Sequence, residues 1–60
     1  MTQNTNDPNS PVKMAYRGGF LFGFYDEQGP RSPDELKKSN PFPEGTEEHQ
    51  SWVDGYYSNL

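Results

Sequence analysis

Apolar and polar positions divide this chain into a polar lead and three short patterned stretches. Residues 1–9, MTQNTNDPN, hold no apolar anchor beyond the initiator Met, and that composition predicts a disordered tail ahead of a single domain over residues 10–60. From Val12 to about Gln28 the chain runs VKMAYRGGFLFGFYDEQ. Ala15, Gly19 and Gly23 recur at every fourth position, so on a helix they form one smooth stripe, with Tyr16, Phe20 and Phe24 in a second stripe beside it. Ser10-Pro11 has the form of a helix start and Gly29-Pro30 that of a stop. A strand is the rival, since aromatic residues favour strands and each interior glycine costs a helix about 1 kcal/mol relative to alanine. The small-residue stripe favours the helix, because it would let a second helix approach closely.

Ser32-Pro33-Asp34-Glu35-Leu36-Lys37-Lys38 combines a serine cap, a proline at the first helical position and a glutamate three residues after the cap. Its acids precede its bases, as the helix dipole prefers. One or two turns should form here and end before Asn40-Pro41. After the rigid segment Asn40 to Gly45, Thr46 can cap a last helix with Glu47 and Glu48 in its first turn. On that helix His49, Trp52, Val53, Tyr56, Tyr57 and Leu60 share one broad face, with Gly55 among them and Asp54 pointing away. Large aromatics there, opposite glycines on the first helix, predict an all-α fold: a tight antiparallel two-helix hairpin with a short middle helix.

Sixty residues and no cysteine change the picture in one respect. A chain this short buries only about 60% of the surface its unfolded form exposes, and disulfides and thiolate zinc sites are excluded as staples. Self-association, a homodimer for instance, or a permanent partner is the expected support. A first helix apolar around much of its circumference points the same way, because one short neighbour leaves a surplus face. Nine acids against five bases give a net charge of −4, which counts against direct DNA binding. No stretch reaches the length of a membrane span and no signal-peptide pattern opens the chain, so the cytoplasm is the expected location.

Three segments resemble the ribosome modulation factor family: Ala-Tyr-Arg-Gly-Gly-Phe-Leu-Phe-Gly over residues 15–23, Asn40-Pro41-Phe42, and Trp52-Val53-Asp54-Gly55-Tyr56. The family has small residues at four-residue spacing in its first helix, a Cys-Pro-Tyr loop and a closing Trp-x-x-Gly-Trp helix. The resemblance implies a two-helix fold and binding to ribosomes, with Lys13, Arg17, Lys37 and Lys38 as the groups that would touch RNA. Asn40 stands where the family has cysteine, and the family is basic whereas this chain is acidic.

The leading expectation is therefore a non-enzymatic regulatory or inhibitory module that binds a protein partner. Tyr16, Phe20, Phe24, Tyr56 and Tyr57 would make the contact, with Glu47, Glu48 and Asp54 as a charged rim; a ribosome-associated factor is the alternative. Ala15, Gly19, Gly23, Pro41, Trp52 and Gly55 are the expected structural positions. No cofactor or metal is implied: His49, Glu48 and Asp54 do not converge on a helix, and no phosphate loop or nucleophilic triad is visible. A chain of this size also has little room for a ligand pocket of roughly 300 Å³ or more.

Overall fold

The computed structural model describes residues 10–60, and the tail expected over residues 1–9 lies outside them. Among the described residues there are three helices and no strand: α1 (Pro11–Tyr25), α2 (Pro33–Ser39) and α3 (Glu47–Tyr57). Each begins as its sequence signals it should. Ser10 Oγ accepts from the Lys13 amide, Ser32 Oγ from the Glu35 amide and Thr46 Oγ1 from the His49 amide, so each cap satisfies an amide that has no partner within its helix.

α1 stops three residues short of Gln28. Asp26 turns to extended backbone at φ −75° and ψ 111°, while its carboxylate accepts from the Gln28 amide at 3.0 Å. This local turn competes with another round of helix. At the other end of the chain α3 stops at Tyr57, and Leu60, expected on its apolar face, is exposed.

The hairpin expectation is corrected in its direction. Ser51 Oγ donates to the Val12 carbonyl at 2.7 Å, Gly55 lies against Tyr16 and Phe20, and Asn59 Nδ2 donates to the Phe20 carbonyl at 2.8 Å. Partner numbers rise together, so α1 and α3 run parallel. The reason is the middle of the chain: residues 26–46, with α2 among them, carry it back along α1 before α3 begins. A parallel pair cannot be joined by a short turn, which is why α2 and its flanking segments are so long for a domain of this size.

The two backbones meet at two glycines. A Cβ on Gly19 would overlap the Trp52 carbonyl, and one on Gly55 would overlap the Tyr16 carbonyl. Gly23 is less tight, with Asn59 Nδ2 at 2.7 Å and Tyr56 O at 2.9 Å from the position its Cβ would take. Ala15 and Gly19 are buried and so are Ser51, Trp52, Gly55 and Tyr56, so the expected structural stripe does face the closing helix. Beside this seam the rings pack: Phe22 lies 5.2 Å from Trp52 and 5.9 Å from Tyr56 between centroids. Leu36, the one buried residue of α2, completes the core, with Phe42, Val53 and Tyr57 packed against it.

The loop after α2 is fixed by polar bonds as much as by its prolines. Asn40 Oδ1 accepts from the Phe42 amide and its Nδ2 donates to the His49 carbonyl at 3.1 Å. His49 Nδ1 lies 3.0 Å from the Phe42 carbonyl. Pro41 itself is exposed, and its structural part is confined to directing this turn. His49 thus joins the loop to α3.

Adjacent glycines on α1 make a sharp test of this seam. A Cβ on Gly18 would meet Trp52 Cδ1 at 3.6 Å, an ordinary contact. Gly18→Ala should therefore raise stability, by up to about 1 kcal/mol from helix propensity. Gly19→Ala and Gly55→Ala should each lower it by about 3 kcal/mol or more, because backbone must move. Chemical denaturation of the three variants checks the contrast, and equal responses at Gly18 and Gly19 would contradict the close approach.

Candidate functional site

α1 turns its smallest side chains to the seam and, Phe22 apart, its largest outward. Met14, Tyr16, Phe20, Leu21, Phe24 and Tyr25 are all exposed, Phe24 at 65% and Tyr25 at 73%. In helical projection they form two bands on the side away from α3. Tyr16, Phe20 and Phe24 lie on one flank, as the sequence predicts, and Met14, Leu21 and Tyr25 on the other. Lys13 falls within the first flank and Arg17 between the two; they are the only charged residues of α1, and neither makes an ion pair among the described residues.

The second flank borders an open groove of about 620 Å³ lined by Gly18, Leu21, Phe22 and Tyr25 of α1 and by Asp26, Glu27, Gln28 and Arg31 beyond it. It is larger than the chain length led us to expect. Its volume lies in the open angle between the end of α1 and the returning chain, not in an enclosed cavity.

A polar knot sets that angle. Arg31 Nε and Nη2 donate to the two Asp26 carboxylate oxygens at 2.8 and 3.1 Å, a bidentate pair. Tyr56 Oη donates to Asp26 Oδ2 at 2.9 Å and accepts from the Arg31 amide at 2.8 Å. Tyr57 Oη donates to the Arg31 carbonyl at 2.7 Å. The Arg31 guanidinium also lies over the Phe22 ring, 5.1 Å from its centroid. The Asp26 side chain is only 3% exposed. Hydrogen bonding from Arg31, set against desolvation, holds the Asp26 carboxyl well below the usual carboxylate range. The same bond raises Arg31, and burial pushes the Tyr56 hydroxyl up.

The residues expected to bind a partner are thus divided. Tyr16, Phe20 and Phe24 share an exposed face. Tyr56, at 2% exposure, belongs to the core and leaves the contact set, and Tyr57 is half-buried with its hydroxyl engaged. The reason is the close seam, which draws the ring beside Gly55 inward. Glu47 and Asp54 are exposed on α3 and Glu48 is half-buried, so the acids stand on a different helix from the aromatic face. Of the bases, Lys37 lies 3.7 Å from Glu44 and Lys38 3.8 Å from Glu35, whereas Lys13 and Arg17 stay on α1.

Sequence reasoning missed Met14 and Leu21 as surface residues and missed Asp26 with Arg31 altogether. The seven-residue step from Met14 to Leu21 was a legible signal, whereas nothing local announces the Asp26–Arg31 pair. No cluster of metal-ligating side chains exists among the described residues, and no helix there is long and apolar enough to cross a membrane. Comparison with protein-family models, curated proteins and solved structures finds no match.

The knot gives stability a pH dependence of defined sign. The folded-state pKa of Asp26 lies below its ordinary value of 3.8. Its contribution is therefore complete at neutral pH, and it is lost as pH falls below that value towards the folded-state pKa. Asp26→Asn should lower Tm at neutral pH, and the gap to the unsubstituted protein should narrow from about pH 5 towards about pH 2. Thermal melts of both proteins across that range check it; a constant gap would show that the carboxylate charge is not what holds the knot.

Proposed function

We propose that this chain is a non-enzymatic regulatory module that binds a protein partner through the outward face of α1. The observation that carries this reading is the inversion of α1, with glycine and alanine against α3 and Met14, Tyr16, Phe20, Leu21, Phe24 and Tyr25 exposed on its outer side. Apolar faces of this kind are where proteins meet other macromolecules. Aromatic and arginine side chains are the groups that dominate such contacts, and Tyr16, Phe20, Phe24 and Arg17 supply them. The exposed acids Glu47 and Asp54 give the neighbouring surface of α3 a negative rim suited to excluding nucleic acid and selecting a basic partner.

A ribosome-associated role is the second reading. It is favoured by one observation: Lys13 and Arg17 are the only charges on the aromatic face, with no acid among them. On that reading they would meet phosphate while the rings stack on unpaired bases.

Affinity capture with the tagged chain and with its Phe20→Ser/Phe24→Ser variant distinguishes these. Both positions are exposed, so the variant should keep its far-UV circular dichroism. Recovery of a specific protein should fall at least about tenfold and should survive moderate salt. Ribosomal subunits that disappear as salt rises, and that Lys13→Glu/Arg17→Glu removes, would establish the second reading instead. Equal capture by the Phe20→Ser/Phe24→Ser variant would overturn the first.

A further inference from the structure

We propose that the groove at the C-terminal end of α1 receives a basic side chain of the partner protein, arginine ahead of lysine. This deepens the proposed function and rests on it for the source of the side chain.

The first argument is the charge within the groove. Asp26, Glu27 and Arg31 are the charged residues that line it. Asp26 and Arg31 neutralise each other through their bidentate pair. Glu27 is exposed and makes no ion pair among the described residues. The groove therefore carries one uncompensated negative charge. Arg17, a turn before Leu21 on α1, does not line it.

The second argument is the end of the helix. α1 has no base in its last turn, whereas α2 has Lys37 and Lys38 in its own. The negative end of the α1 dipole thus lies beside the groove without a cation from the helix itself, and it adds to the pull of Glu27.

The third argument is what accompanies the carboxylate. Leu21 and Phe22 supply apolar wall, Gly18 leaves its part of the wall bare, and the largely exposed Tyr25 ring lines the groove as well. A long basic side chain matches both kinds of surface, since its stem covers apolar groups while its head reaches the acid. A guanidinium can also stack on a ring and form two parallel bonds to one carboxylate, which an ammonium cannot. Arg31 already stacks in this way on Phe22. A purely apolar occupant would strip water from Glu27 without replacing it, and an acidic one would be repelled.

The groove is also set before anything binds. Asp26 accepts from the Gln28 amide at 3.0 Å, which fixes the turn that carries Glu27. Tyr56 and Tyr57 hold the main chain of Arg31. At about 620 Å³ the groove has room for one such side chain and the backbone that bears it.

Titration of the isotope-labelled chain with the capped peptide acetyl-Leu-Arg-Leu-amide at low salt, followed by amide NMR shifts, tests it. Shifts should gather on Gly18, Leu21, Tyr25, Glu27 and Gln28, and acetyl-Leu-Glu-Leu-amide should leave them unmoved. Glu27→Gln should weaken binding about fivefold, and Tyr25→Leu several-fold. Both residues are exposed, so both variants should keep their far-UV circular dichroism. Absence of groove shifts, equal binding of the glutamate peptide, or unchanged affinity in either variant would overturn the proposal. The titration uses no partner protein, so its failure is distinct from that of the proposed function. Capture that needs Phe20 and Phe24 without groove shifts keeps the binding module and removes this site. Groove shifts with capture indifferent to Phe20 and Phe24 keep the site and remove the outer-face reading.

Discussion

The contact of two peptide backbones, Gly19 on the Trp52 carbonyl and Gly55 on the Tyr16 carbonyl, is the constraint from which the other features follow. Where no side chains separate two helices, their packing must come from what flanks the seam. Phe22, Trp52 and Tyr56 stack on one side of it. Ser51 and Asn59 bond across it to main-chain carbonyls of α1 at positions 12 and 20. Small or short side chains recur at four-residue steps on both sides of the seam, Ala15-Gly19-Gly23 on α1, and Ser51 and Gly55 on α3 followed by Asn59 just past its end. One set supplies space and the other supplies donors, and the pair is held in a single register by the combination.

The same economy explains the surface. A helix that gives its core side to glycine and alanine buries little of its own apolar area, yet α1 carries more large apolar residues than any other element of the chain. Apart from Phe22, which joins the rings beside the seam, they have only the outside left to occupy. The Asp26–Arg31–Tyr56 knot makes that arrangement rigid at its C-terminal end, because Tyr56 belongs at once to the buried stack and to the polar cluster. An exposed aromatic face on a fixed backbone loses less conformational freedom on binding than one on a mobile loop. The fold and the candidate surface are two sides of one helix.

Local chemistry was legible in the sequence and relative direction was not. Ser10, Ser32 and Thr46 announce their helices because capping is settled within three residues. The stripe of Ala15, Gly19 and Gly23 announces its neighbour because a four-residue step is a property of one helix. Whether the neighbour runs parallel or antiparallel is decided by where residues 26–46 take the chain, and no periodicity in α1 or α3 carries that information. The Tyr56 assignment failed for a related reason. Its ring and that of Phe24 look alike in sequence, and only the backbone contact at Gly55 decides which turns inward. Asp26 and Arg31 read as ordinary loop charges, since their pairing needs the backbone reversal that lies between them.

Parallel packing of α1 and α3 also sets how the molecule comes together. Small helical proteins ordinarily gain their first tertiary contacts between neighbours in sequence. Here the bonds that define the register, Ser51 to Val12 and Asn59 to Phe20, each span 39 positions. Most of the chain must therefore be gathered into one loop before the glycine seam returns any free energy. For its size and helix content this protein has an unusually non-local topology, and its folding should be governed by loop closure and run slower than that of a simple helical hairpin.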